Sequence, residues 1–143
     1  MILQLHSYWA LLILTLLLFS IVNSILGIIN KKDFQDTDFR ISLYVIIFTY
    51  IQLVIGFAYY FISPAYKHLK EIGIKAGMKD THLRLLTIEH PIMMIIAIGL
   101  ITIGYSKHKK KGNAKAKFKA ISIYYGLALL IILSRIPWDQ WFN

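Results

Sequence analysis

The sequence predicts an all-α fold, a polytopic membrane protein of four transmembrane helices in an antiparallel bundle. Three observations predict it. Four apolar runs reach spanning length, for which a helix needs about 20 residues. Most charges lie between those runs. Of the 143 residues 57% are hydrophobic and 16% charged, at a mean hydropathy of +0.60, the balance of a membrane domain rather than a soluble core.

The first run covers about 3–29. It is too long for a signal-peptide core and lacks a small-residue cleavage site, so it reads as a retained helix. The second covers about 41–62 and ends before Ser63-Pro64; the third covers about 83–105; the fourth covers about 120–136 and is stopped by Pro137. Runs this long favour helices over barrel strands, which are shorter and alternate. All four form one domain over 1–143, with no room for a separate soluble one. The second connection, from Tyr66 to Met78, mixes apolar and basic residues as a short interfacial helix would, against which Gly73 and Gly77 count.

The connections set the expected topology. The first holds Lys31, Lys32 and Arg40, and the third holds seven lysines from Lys107 to Lys119 without an acid. The second holds Lys67, Lys70, Lys75, Lys79 and Arg84. The positive-inside rule then puts the first and third connections in the cytoplasm and both termini outside it, in a bacterial inner membrane. The net charge of +9 fits contact with anionic lipid headgroups of the bilayer; no basic stripe on a soluble element points to nucleic acid. The absence of cysteine excludes disulfides, thiolate metal sites and covalently attached haem.

Lipid is as apolar as leucine, so small and polar residues, not hydrophobicity, mark the faces that turn inward. The predicted inward stripes are His6, Ala10, Ile13, Leu17, Ser20, Ser24 and Gly27; Ser42, Val45, Thr49, Gln52, Gly56 and Tyr59; His90, Met94, Ala97, Ile101 and Gly104; and Tyr124, Ala128, Ile131, Arg135 and Trp138. Helix packing alone accounts for such stripes, and Gln52 alone accounts for a hydrogen bond to a neighbouring helix.

His6 and His90 are the candidates for chemistry. Each lies within the first turns of a span, the two spans are parallel, and the depths agree to within about one turn, or about 5 Å. First and third helices of a short-looped bundle are diagonal partners. Two inward imidazoles at one depth are the metal ligands a bundle uses to hold a b-type haem. The competing reading makes each an interfacial histidine facing headgroups or water. Arg135 reaches the same end, where it either snorkels or, with Arg84, holds a haem propionate. Glu89 is expected to pair with Arg84 or Arg135, because an isolated carboxylate near hydrocarbon is costly. Met94, one turn beyond His90, is a candidate thioether ligand or a packing residue.

Pro91 falls in the first turns of its helix, where the missing amide costs least. His68 and His82 match no zinc spacing and read as surface residues, and His108 belongs to the lysine run, remote from the other histidines. Tyr8, Trp9, Tyr59, Tyr60, Tyr66, Trp138 and Trp141 read as an interfacial aromatic belt. No hydrolase triad, phosphate-binding loop or dinucleotide fingerprint is present.

Leu5-His6-Ser7, Met78-Lys79-Asp80, Glu89-His90-Pro91 with Met93-Met94, Ile101-Thr102-Ile103-Gly104 and Ile136-Pro137-Trp138 resemble a family of small four-helix cytochrome-b-like inner-membrane proteins of Bacteroidota. The resemblance spans nearly the whole chain through short motifs. It implies a four-helix inner-membrane bundle that binds haem, with His6 and Glu89-His90 on the histidine-bearing motifs. Members often carry a histidine in the second span near the position of Tyr50 and sometimes one near that of Tyr105; both are tyrosine here, so a second haem is not expected.

The leading expectation is therefore a b-type haem protein acting in electron transfer, with quinol or another membrane reductant as donor and no catalytic motif of its own. The alternatives are a cofactor-free accessory subunit of a larger membrane complex and a small transporter using Glu89, His90 and Arg135.

Overall fold

The computed structural model describes residues 1–141. It is all-helical, and four of its helices are long and apolar enough to cross a membrane. No strand is present among the described residues.

Helix α1 spans Ile2–Ile29 and α2 spans Asp36–Ile62. The second helix starts ahead of its apolar run because its polar start is capped. The Gln35 side chain and Asp38 form a reciprocal capping box, and Asp36 and Asp38 place negative charge at the positive end of the helix dipole. Buried Asp38 also accepts from Asn23 Nδ2 of α1 at 2.8 Å and lies 3.7 Å from Lys32 Nζ, so its charge is compensated.

The second connection is helical after all. Ser63 caps α3 (Pro64–Ile72), with Pro64 at the first position, where no amide is needed. Gly73 breaks the helix at φ 85°, a conformation that side chains disfavour, and α4 (Ile74–Gly77) follows. The third span begins at Thr81, capped by Asp80, and is one continuous helix in three parts. These are α5 (Thr81–Arg84), a π-turn at Leu85–Glu89, and α6 (His90–Lys109). The fourth, α7, covers Ala114–Arg135, and a 3₁₀ turn at Trp138–Gln140 follows Pro137.

Most of the lysine-rich stretch is helical too, not an open loop. Lysine is a good helix former, and Lys107 and Lys109 sit at the negative end of α6. Asn113 restarts the chain by accepting from the Ala116 amide.

Around the bundle α1 packs on α2 and α7, and α6 packs closely on α7 but sparsely on α2. Helices α1 and α6 therefore stand on a diagonal. The predicted stripes of α1, α2 and α6 turn inward: Leu17, Ser20, Val45, Thr49, Ala97 and Ile101 are all buried. The stripe predicted for α7 is displaced. Its buried face is Phe118, Ile121, Tyr125, Ala128 and Ile132, which shares only Ala128 with the expected set. Tyr125 rather than Tyr124 goes inside because its hydroxyl donates to the Ser42 carbonyl at 2.9 Å, across the other diagonal. Tyr124 lies instead under Lys107 Nζ, 5.9 Å from its ring centre.

Candidate functional site

The diagonal brings His6 and His90 together. Their ring centres are 6.2 Å apart and the ring planes are nearly perpendicular, at 88°. Both side chains face a cleft of about 170 Å³ that all four long helices line, with Ala10 and Ile13 from α1, Gly56 from α2, Met94 from α6 and Ile132 from α7.

On the α1 side, Gln52 of α2 donates from Nε2 to the His6 backbone carbonyl at 2.8 Å, the interhelical bond anticipated from sequence. Gly56 allows α2 to come close. A Cβ there would sit 3.1 Å from His6 Cε1, so the imidazole would have to give way. His6 Nδ1 and Gln52 Oε1 are buried with no hydrogen-bond partner among the described residues. Such groups are uncommon, since leaving one unpaired costs roughly 1–3 kcal/mol.

On the α6 side the cause is local. In a straight α-helix the ring of Pro91 clashes with the carbonyl four residues back, that of Thr87, and offers it no amide. The π-turn widens the helix at this point, and the His90 amide bonds back to Leu85 instead. Tyr60 of α2 donates its hydroxyl to the Thr87 carbonyl at 2.9 Å. The same turn explains an ion pair that α-helical spacing forbids. Arg84 Nε lies 2.9 Å from Glu89 Oε2 although the two are five residues apart.

His90 is oriented from α7. Its Nδ1 lies 2.8 Å from the carbonyl oxygen of Arg135, the last residue of that helix. A helix end leaves its final carbonyls without intrahelical donors, so this acceptor is free. A carbonyl only accepts, hence Nδ1 carries the proton and Nε2 the lone pair. Metal-bound histidines are held in the same way.

The charged residues rim this end. Glu89 pairs with both arginines, Arg135 Nε being 3.7 Å from Oε1. Arg84 also donates to the Met78 carbonyl and Arg135 to the Ser134 carbonyl. Both guanidinium groups remain partly exposed beside a second hollow lined by Thr81, His82 and Ser134. Met94 lines the cleft and packs on the core. His68 and His82 are half-exposed, beside Glu71 and Asp139 respectively. Among the described residues no group of three metal-ligating side chains forms.

No family model matches this chain, and no curated protein and no solved structure matches it. The geometry therefore carries the functional argument.

Two participants, Tyr60 and Thr87, escape the sequence reading, as does the burial of His108 at the other end. Tyr60 looks like one more belt aromatic, and its role depends on the π-turn. Thr87 acts through its backbone, which no side-chain pattern reveals. His108, expected in the lysine run, is fully buried among Phe34, Phe39 and Tyr105, with ring centres 5.1–5.9 Å away. A signal for it exists: His108 continues the stripe of His90, Met94, Ala97, Ile101 and Gly104 by four residues. Tyr50 meets Thr102 Oγ1 at 2.6 Å, and Tyr105 packs on Phe39 and His108.

Proposed function

We propose that this chain is a b-type haem-binding membrane protein acting in electron transfer, with His6 and His90 as the axial ligands. The observation that carries the reading is the pair itself: two imidazoles from diagonal helices, their ring centres 6.2 Å apart, on one shared cleft. The protonated Nδ1 of His90 on the Arg135 carbonyl leaves Nε2 as the donor atom, and His6 carries a buried nitrogen without a partner. The resemblance of the Leu5-His6-Ser7 and Glu89-His90-Pro91 motifs to cytochrome-b-like proteins implies the same group.

The haem would supply reversible one-electron transfer. The residues do the rest. His6 and His90 would supply nitrogen and the apolar cleft walls would exclude water; Arg84 and Arg135, which line the neighbouring hollow at the same end and pair with Glu89, would be the guanidinium groups for the propionates. A cleft of about 170 Å³ is small for a macrocycle, since ligand sites run to about 300–1,000 Å³. Binding would therefore require the bundle to widen, and α2 and α6 are its most sparsely packed neighbouring pair of long helices. In this reading the chain lies in a bacterial inner membrane with its termini outside, and quinol or another membrane reductant is the donor.

The test is an absorption spectrum of protein purified from haem-replete cells, or reconstituted with haemin. A Soret band that His6→Ala and His90→Ala each abolish is the expected result; a wild-type protein with no Soret band in either preparation refutes the proposal. The size of the cleft favours a second reading, a cofactor-free accessory subunit in which the histidine pair is interhelical packing. A colourless protein that co-purifies with a large membrane partner is its expected signature.

A further inference from the structure

We infer that Tyr60 is a positioning residue for His90, acting through the π-turn and the Thr87 carbonyl. The inference rests on the reading of His90 as a ligand. It concerns how His90 is aimed, which no pattern of ligand residues specifies.

The argument starts at Pro91. Its ring displaces the Thr87 carbonyl and its missing amide leaves that carbonyl without the usual helical donor. The segment immediately before His90 is consequently a π-turn, Leu85–Glu89, and the Thr87 carbonyl needs a donor from outside the usual helical register. Helices α2, α3 and α7 all meet it. The Tyr60 hydroxyl of α2 takes the Thr87 carbonyl, α3 packs alongside, and His90 Nδ1 is seated on α7, while Glu89 at the rim pairs with Arg84 of its own helix and with Arg135. Thr87 is itself buried, and its hydroxyl is committed to the Leu83 carbonyl, so it cannot relieve its own backbone. Through Tyr60, α2, the helix that also touches His6 by way of Gln52 and Gly56, reaches the turn that leads into His90. His90 is thus seated on α7 at its ring and supported from α2 at its backbone.

Outer groups of this kind typically change ligand affinity by about 10–100-fold when removed. Tyr60→Phe deletes the hydroxyl alone. It is expected to weaken haemin binding about tenfold or more and to move His90 off the Arg135 carbonyl. The second effect is read without haem, by imidazole ¹⁵N chemical shifts. Wild type is expected to show the single tautomer with the proton on Nδ1, and Tyr60→Phe a mixture. Pro91→Ala supplies the amide that Thr87 lacks, so in that background Tyr60→Phe should change neither readout; this second comparison also decides the matter if Tyr60→Phe alone does not fold. Wild-type protein that never binds haemin defeats the proposed function while the tautomer measurement still tests Tyr60. A Tyr60→Phe variant with wild-type tautomer, or an equal effect of Tyr60→Phe with Pro91 and with Ala at position 91, overturns the inference.

Discussion

The two ends of the bundle hold histidines from the same stripe of α6, His90 partly buried and His108 fully buried, in opposite circumstances. At one end His90 has its Nδ1 on a carbonyl, a second imidazole 6.2 Å from ring to ring, and a cleft beside it. At the lysine-rich end His108 is fully enclosed, and neither ring nitrogen has a hydrogen-bond partner among the described residues. Its neighbours are aromatic. Phe34 packs on both His108 and Phe118, and Lys117 Nζ lies 5.1 Å above the Phe34 ring. The difference teaches that burial of a histidine does not make a site. Among the described residues the His6 end alone combines a seated imidazole, a second imidazole and a neighbouring cleft.

The comparison breaks most directly by substitution at each end. His90→Ala should abolish the Soret band entirely, whereas His108→Ala should leave its position and intensity unchanged. If both variants lose the band, the two ends are not functionally distinct.

Stability should move in opposite directions. His108→Leu replaces an unpaired buried imidazole by an apolar side chain, removing a desolvation cost of roughly 1–3 kcal/mol, and should raise the melting temperature. His90→Leu removes the bond to Arg135 and should cost about 1 kcal/mol. Thermal unfolding of the two apo variants in one detergent checks the sign of each change.

A subtler contrast uses glycines of two helices. Gly56→Ala pushes a methyl toward His6 Cε1 and should weaken haemin binding several-fold in a titration. Gly126→Ala meets nothing within 4 Å and should leave haemin binding alone, with a gain of up to about 1 kcal/mol from helix propensity.

The smallest effect is expected at the charged rim. Glu89 and Arg84 are about a third exposed and Arg135 is 42% exposed, and such pairs contribute about 0–1 kcal/mol. Glu89→Gln should therefore change the melting temperature little. A large loss of stability would mean that the ion pairs, rather than Tyr60 and Arg135, hold the π-turn.

Much of this was legible in the residues. The stripe carrying His6 was readable because alanine, serine and glycine recur with it, and small residues are what let membrane helices approach. The α7 stripe was not, because Tyr124 and Tyr125 are chemically identical and only the Ser42 carbonyl on another helix selects between them. Pro91 was visible in the sequence as a helix-start residue. Its larger consequence was not, since a helix that already began at Thr81 must widen to admit it.

The sequence by itself determined four apolar helices, their inward faces on three of the four, and two histidines at one depth. Those properties depend on local composition and on the helical period. The tertiary structure alone decided that α1 and α6 stand on a diagonal, that His90 is anchored on the end of α7, and that Tyr60 reaches the Thr87 carbonyl. Each of these pairs groups far apart in the chain, two of them through backbone carbonyls that every residue carries and no sequence pattern distinguishes.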